Sequence, residues 1–198
     1  MILGRRGTLA PVADDVVDAV RGLLADDPAL SGVDAGDLVA LVLQSAGAVS
    51  LPPGARVYCV GCGTGALAAV FLLGGAQVGG VDDRAPLVAI AREVMPDGEW
   101  TIADPAAVDP GEPWDYVVAA GLFARYRDGD ARRGLVARMA AKASRAVLLF
   151  DVGPDPEVGD GWILRAFTEV GASGVRFLHD DDPGTGRVRT HVLASTGS

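Results

Sequence analysis

Short apolar runs that each end at a glycine or an aspartate constrain the fold of this chain more than any other feature. There are five of them, Val57–Val60, Gln77–Val81, Trp100–Ala103, Tyr116–Ala120 and Ala146–Phe150. Helical patterns follow four of these runs, at Ala66–Leu73, Ala85–Met95, Asp130–Ala143 and Trp162–Val170. Continuous apolar strands separated by helices predict a parallel sheet that is covered by helices on both faces. We therefore expect an α/β protein.

The two ends of the chain depart from this alternation. Pro11–Ala25 and a second segment, which Asp34 can cap, carry the apolar stripes of two helices, so residues 1–50 are predicted to form a helical cap. Val175–Leu178 and Arg189–Leu193 are strand-like, and the loop between them is too short for a crossover helix. These two strands are therefore predicted to form an antiparallel hairpin.

Composition narrows the class of protein further. The 198 residues are 49% hydrophobic and show no internal boundary, which predicts one domain, 1–198, with its core over 55–195. Asp and Glu outnumber Lys and Arg by 26 to 17, and this excess of acid argues against nucleic-acid binding, because phosphate contacts need a basic face. No apolar run approaches the ~20 residues of a membrane span. Two neighbouring cysteines without a secretory signal favour the cytoplasm.

A glycine-rich loop is the feature most informative about function. The first strand runs into Gly61-Cys62-Gly63-Thr64-Gly65 and then a helix, an arrangement that lets a ligand approach the backbone. Asp82 lies 21 residues after Gly61 at the tip of the next strand, where a carboxylate can accept hydrogen bonds from both ribose hydroxyls. Asp104, at the third strand tip, can accept from an exocyclic amine. Because parallel strand tips meet at one crevice, we expect an adenosine-containing ligand there.

Two classes of adenosine ligand fit this loop. A Walker loop is excluded because no Gly-Lys-Ser/Thr follows the glycines. Gly61-x-Gly63-x-x-Ala66 satisfies the loose dinucleotide fingerprint, with Asp82 at the right distance, so an NAD-dependent oxidoreductase is one alternative. The third glycine, Gly65, and the terminal hairpin favour S-adenosylmethionine instead.

Four motifs, in order, resemble those of the class I S-adenosylmethionine-dependent methyltransferases. Val57–Leu67 is similar to the family's motif I, and Gly80–Arg92 is similar to its second strand, which ends in an acid, with the following helix. Ala103-Asp104 matches the acid that approaches the adenine amine, and Trp114–Gly121 matches the fourth-strand motif. The resemblance spans about 55–193 and is nearest to the small-molecule methyltransferases. It implies a Rossmann-like, seven-stranded, mostly parallel sheet of order 3-2-1-4-5-7-6 with strand 7 antiparallel.

The resemblance also implies an activity and a set of site residues. The activity is transfer of a methyl group from S-adenosylmethionine to an oxygen, nitrogen or carbon of a small molecule. The implied cofactor-binding residues are Gly61, Cys62, Gly63, Gly65, Asp82, Asp83, Asp104, Pro105, Ala120 and Gly121. No metal is expected, because no catechol-type carboxylate cluster is evident. Proximity alone can lower the reaction barrier by ~7–11 kcal/mol, so a catalytic base is optional. The candidate bases are Asp151, Tyr126, His179 and His191.

The chain departs from the family pattern at two places. Cys59 stands where the family usually has an acidic residue that helps hold the methionine end of the cofactor. The fourth strand leads into Ala120–Phe123 rather than Asn/Asp-Pro-Pro-Tyr/Phe, which argues against methylation of nucleobase or glutamine amide nitrogens. The Cys59 departure and the lack of a clear base leave a non-catalytic cofactor-binding module as a further alternative. Cys59 and Cys62 are interpreted as packing residues rather than a redox pair, because Cys59 belongs to the strand.

Overall fold

One seven-stranded sheet organises the molecule. The computed structural model describes residues 14–27, 33–48, 50–107, 109, 111–126, 128–150, 159–181 and 188–196. The strands are β1 (Arg56–Val60), β2 (Gln77–Asp82), β3 (Glu99–Ile102), β4 (Trp114–Ala120), β5 (Ala143–Phe150), β6 (Gly174–Asp181) and β7 (Val188–Ser195). Their order is β3-β2-β1-β4-β5-β7-β6, with β1 to β5 paired in parallel and β7 antiparallel to both of its neighbours. This confirms the predicted order and the terminal hairpin.

Helices cover both faces of the sheet, as predicted. They are α1 (Asp14–Ala25), α2 (Ala35–Ala48), α3 (Ala66–Leu73), α4 (Ala85–Val94), α5 (Gly129–Lys142) and α6 (Asp160–Glu169), with a short 3-10 turn at Leu122–Ala124. Helices α1 to α4 share one apolar cluster with the sheet, and α5 and α6 share the other. Residues 11–13 of the first predicted helix lie outside the described residues. Within the described ranges, no helix combines the length and the apolar character needed to cross a bilayer.

The central strands are apolar throughout because each face meets a different helical layer. Along β1, Val57 and Cys59 belong to the cluster of α1 to α4, whereas Tyr58 and Val60 belong to that of α5 and α6. Strand side chains alternate between the two faces of a sheet, so a strand with helices on both sides needs apolar residues at every position. The pattern that predicted the parallel sheet therefore has its cause in this two-sided burial.

Helix starts follow local capping chemistry. The Asp34 carboxylate accepts a hydrogen bond from the Asp37 N–H at 3.0 Å, which confirms the predicted cap of α2. Asp128 caps α5 in the same way by accepting from the N–H groups of Asp130 and Ala131. Strand β5 begins at Ala143, three residues before the predicted Ala146, because Ala143 pairs with Trp114 of β4. With the parallel strands aligned, the carboxyl ends of β1 to β4 lie at one edge of the sheet.

Candidate functional site

The glycine loop between β1 and α3 turns tightly over the end of β2. Gly61, Gly63 and Gly65 have φ values of 71°, 54° and 83°, in the left-handed region that side chains disfavour. The N–H groups of Gly61 and Cys62 both donate to the Val81 carbonyl, at 2.8 and 2.9 Å. A Cβ on Gly61 would lie 2.8 Å from Leu122 Cδ1. The loop backbone thus packs closely against its neighbours at the glycines that the sequence singled out, and residues 62–65 are buried.

Asp82 lies at the end of β2 and is in direct contact with this loop. Its side chain is 0% exposed, and its Oδ2 accepts the Gly63 N–H at 3.0 Å. Arg84 engages both carboxylate oxygens, since Nε donates to Oδ1 at 2.8 Å and Nη2 to Oδ2 at 2.9 Å. Burial favours a higher pKa for Asp82, but the bonds from Arg84 and Gly63 outweigh it and lower the pKa to about 2. Asp82 is therefore ionised and internally paired.

A second buried carboxylate, Asp27, reaches the same loop from the end of α1. Its side chain is 2% exposed, and its Oδ1 accepts from Arg84 Nη1 at 2.9 Å. Its Oδ2 lies so close to Gly63 that a Cβ there would overlap it. The loop and α1 are further joined by Thr64, whose fully buried hydroxyl donates to the Leu23 carbonyl at 2.8 Å. Sequence reasoning missed Asp27, because Asp27-Pro28 carries only the signal of a helix end.

The segment after β4 reaches across to the tips of β2 and β3. Arg125 Nη2 donates to both oxygens of Asp83, at 2.7 and 2.8 Å, and its Nη1 lies 3.8 Å from Asp82 Oδ2. The Tyr126 hydroxyl donates to Asp104 Oδ1 at 2.8 Å. The acids that the sequence placed at these two strand tips are therefore all paired with side chains of the same chain.

Protonation states follow from this pairing. The Ala106 N–H and the Tyr126 hydroxyl, which donate to Asp104, lower its pKa. Burial and the bond to Asp104 raise the pKa of Tyr126 to about 12. Tyr126 is thus a protonated donor at neutral pH, which makes it a poor base.

The two cysteines and the fourth strand tip contribute shape rather than charge. Cys59 and Cys62 are free and buried. Burial raises the pKa of Cys59 well above its ordinary value and, with the nearby Asp82 charge, raises that of Cys62 to about 12. Neutral thiols in this setting agree with their interpretation as packing residues. At the end of β4, next to Ala120, Gly121 has a φ of 59° and donates its N–H to the Phe150 carbonyl at 3.0 Å.

The remaining predicted residues lie along the same edge or outside the described ranges. Pro105 is buried directly after Asp104. His191 is buried on β7, with its ring 6.2 Å from that of Phe150 at the carboxyl end of β5. The backbone of His179 pairs with Thr190 in the hairpin, and its side chain is outside the described part. Asp151 lies outside it entirely. Among the described residues, no group of three or more His, Cys, Asp or Glu is arranged to hold a metal ion.

The chemistry of these strand tips fits an adenosine with one condition. The buried ionised carboxylate at the tip of β2 and the carboxylate at the tip of β3 are suitable acceptors for ribose hydroxyls and an adenine amine. The condition is that Arg84 leaves Asp82, because its guanidinium occupies both carboxylate oxygens. Arg84 is 31% exposed, so its side chain has a route toward solvent.

Comparison with known proteins identifies the fold. No protein-family model matches the chain, and no curated protein matches it. Among solved structures, it is similar to the magnesium protoporphyrin IX methyltransferase of Synechocystis PCC 6803 with bound SAM, at 20% identity and a TM-score of 0.72, over 96% of this chain and 100% of that one.

Two further structures agree. The SAM-bound amino pentose methyltransferase from Micromonospora echinaspora, involved in calicheamicin biosynthesis, matches at 17% identity and a TM-score of 0.68, over 97% of this chain and 100% of that one. The N-methyltransferase NodS from Bradyrhizobium japonicum WM9 matches at 14% identity and a TM-score of 0.69, over 88% of this chain and 100% of that one. The chain therefore has the Rossmann-like fold of the S-adenosylmethionine-dependent methyltransferases.

Proposed function

We propose that this protein is an S-adenosylmethionine-dependent methyltransferase that acts on a small-molecule nucleophile. The observation that carries the proposal is the contact between the buried Asp82 carboxylate and the Gly63 N–H at 3.0 Å. It joins the glycine loop to the acid of the next strand tip, within a fold that solved methyltransferases share. A ribose at this junction would meet the acceptor oxygens of Asp82 once Arg84 has left them.

Each part of the crevice has a role in this proposal. Asp82 would accept hydrogen bonds from the ribose hydroxyls, Asp104 would accept one from the adenine amine, and the loop from Gly61 to Gly65 would contact the rest of the cofactor. Cys62, Asp83, Pro105, Ala120 and Gly121 complete the set of proposed contacts. When bound, the cofactor supplies a methyl group on a positively charged sulfur, which is already an activated leaving group. The protein then has to align the acceptor and exclude water, and alignment alone can contribute ~7–11 kcal/mol.

A catalytic base is a secondary feature of this mechanism. Tyr126 is disfavoured because its hydroxyl donates to Asp104 and its pKa is raised to about 12. Among the described residues, His191 is the better candidate, because it lies beside Phe150 at the carboxyl end of β5. His179 and Asp151 stay candidates from the sequence alone. A base of this kind typically adds ~10²–10⁴-fold to the rate.

The substrate class and setting are also proposals. A small-molecule acceptor is supported by the porphyrin and amino pentose methyltransferases that share the fold. The net charge of −9 disfavours nucleic acid and anionic membrane surfaces as partners. We also propose a single domain, which the continuous sheet supports, and the free thiols Cys59 and Cys62 favour the cytoplasm.

Calorimetric titration with S-adenosylmethionine and S-adenosylhomocysteine tests the proposal, with NAD⁺ and NADH as separate arms. We expect saturable one-site binding of both sulfur compounds and no heat from the nicotinamide compounds. If neither sulfur compound binds at about 1 mM, a limit that corresponds to a binding free energy of roughly −4 kcal/mol, the proposal is overturned. Binding of NADH alone would favour the oxidoreductase instead.

A non-catalytic module of the same fold is the second candidate, and a specific observation favours it. Arg84, Arg125 and Tyr126 are bonded to the acids that would otherwise accept hydrogen bonds from a cofactor. Binding of S-adenosylmethionine without turnover of any methyl acceptor, and with affinity for a protein partner, would support this candidate. Turnover of a small-molecule acceptor would remove it.

A further inference from the structure

The glycine loop lies between two buried carboxylates, of which the sequence predicted only one. On one side, Gly63 donates its N–H to Asp82 at 3.0 Å. On the other, Asp27 Oδ2 lies against the same glycine, where any side chain would overlap it. Residue 63 must therefore be small for both carboxylates to be present.

One guanidinium serves both carboxylates. Arg84 bonds to Asp82 through Nε and Nη2 and to Asp27 through Nη1, at 2.8, 2.9 and 2.9 Å. The cluster thus brings two carboxyl groups together around one guanidinium. Arg125 adds only a distant contact of 3.8 Å to Asp82, because its near partner is Asp83. Carboxylates this buried are costly without a cation. The cluster therefore favours a positively charged ligand whenever Arg84 withdraws.

In the methyltransferases that this chain resembles, an acidic residue at the position of Cys59 helps hold the methionine end of the cofactor. This chain has no carboxylate at that position. Cys59 is 1% exposed on β1. A neutral thiol pairs only weakly with an ammonium group. Asp27 brings a carboxylate to the same loop from a different element, and Thr64 fixes the end of α1 there through its bond to the Leu23 carbonyl.

We propose that Asp27 binds the ammonium group of the methionine moiety of S-adenosylmethionine, in place of the acid that is absent at Cys59. Arg84 holds Asp27 and Asp82 together until the cofactor binds, when the ammonium group replaces it at Asp27 and the ribose hydroxyls replace it at Asp82. This inference rests on the proposed function. It differs from a purely structural role for Asp27, which would affect every adenosine ligand equally.

Two ligands separate these roles. S-Adenosylhomocysteine carries the ammonium group, whereas 5′-methylthioadenosine has the same adenosine and thioether sulfur without the amino-acid end. Asp27→Asn keeps the shape of the side chain and removes its charge. The exposed neighbour substitution Asp26→Asn makes the same change of charge one residue away and is the matched control.

Calorimetry on the full chain gives the ratio of the two affinities for wild type and both variants. We expect Asp27→Asn to reduce the preference for S-adenosylhomocysteine over 5′-methylthioadenosine by about 10- to 100-fold, the range of a hydrogen bond between charged groups. Asp26→Asn should leave the ratio unchanged. Using the ratio cancels any general effect of the variant on Arg84 or on folding. An unchanged ratio in Asp27→Asn overturns the inference.

A measurement on the wild-type protein keeps the inference testable if Asp27→Asn does not fold. A derivative of S-adenosylhomocysteine that lacks only its amino group should bind about 10- to 100-fold more weakly than the parent compound. Equal affinities would refute the role of Asp27. Failure of the proposed function looks different, because wild type would then bind none of these compounds.

Discussion

The buried carboxylates of Asp82 and Asp27 both depend on Arg84 for a charged partner, and Arg84→Met tests this directly. The methionine keeps the aliphatic stem and removes the three charge-assisted bonds to Asp82 and Asp27. Breaking a buried ion pair by removing one partner costs ~3–5 kcal/mol, because it leaves uncompensated buried charge. Since Arg84 is 31% exposed and water can enter, we expect a value near the lower limit, about 3 kcal/mol at pH 7.

The loss in the free energy of unfolding caused by Arg84→Met should become smaller as the pH falls. In wild type the pKa of Asp82 is lowered to about 2, so its pairing stabilises the fold above its ordinary pKa of ~3.9 and this contribution is lost as the pH falls toward 2. Without Arg84, burial favours the protonated form of Asp82, so the variant regains stability as this carboxylate takes up a proton. The difference between wild type and Arg84→Met should therefore be largest at pH 7 and smaller at pH 4.

Urea unfolding followed by circular dichroism at both pH values measures these differences. Arg133→Met is the matched control, because Arg133 forms an exposed ion pair with Asp130 on α5 and should change stability only slightly. A loss for Arg84→Met as small as that of the control, or an equal loss at pH 7 and pH 4, would refute the reasoning.

Three further predictions concern the surroundings of the loop. Gly63→Ala should lower the free energy of unfolding by more than Gly54→Ala, because both have positive φ but only a Cβ at residue 63 meets a buried carboxylate; equal losses in chemical denaturation would contradict this. Thr64→Val should cost about 1–3 kcal/mol, since it leaves a buried carbonyl of α1 without its donor, and an unchanged unfolding midpoint would show that the bond contributes nothing. Tyr126→Phe should raise the pKa of Asp104, because the hydroxyl helps lower it, and an NMR titration that finds the same pKa in both proteins would exclude that contact.

The parallel sheet and the hairpin could be predicted because their causes are local, whereas the strand order followed from the resemblance to the methyltransferases. The apolar runs report burial between two helical layers, and the short connection between β6 and β7 leaves room only for an antiparallel turn. The glycine loop and Asp82 could be located for a similar reason, since residues at the ends of parallel strands meet at one edge.

The partners of these acids could not be predicted in the same way. Asp27 lies 36 residues before Gly63 in the sequence, and only the packing of α1 on α3 brings the two together. Arg84 lies only two residues after Asp82, but its long side chain has many rotamers. The rotamer that folds back onto Asp82 is selected by two buried carboxylates. The sequence indicates where a strand ends and leaves open which flexible side chain occupies its tip.

A crystal structure determined with saturating S-adenosylhomocysteine tests most directly whether this crevice holds adenosine. We expect the ribose hydroxyls on Asp82, the adenine amine toward Asp104 and the Arg84 guanidinium withdrawn from both carboxylates. Crystals in which Arg84 still bonds to Asp82 and no adenosine lies beside the glycine loop would contradict the account.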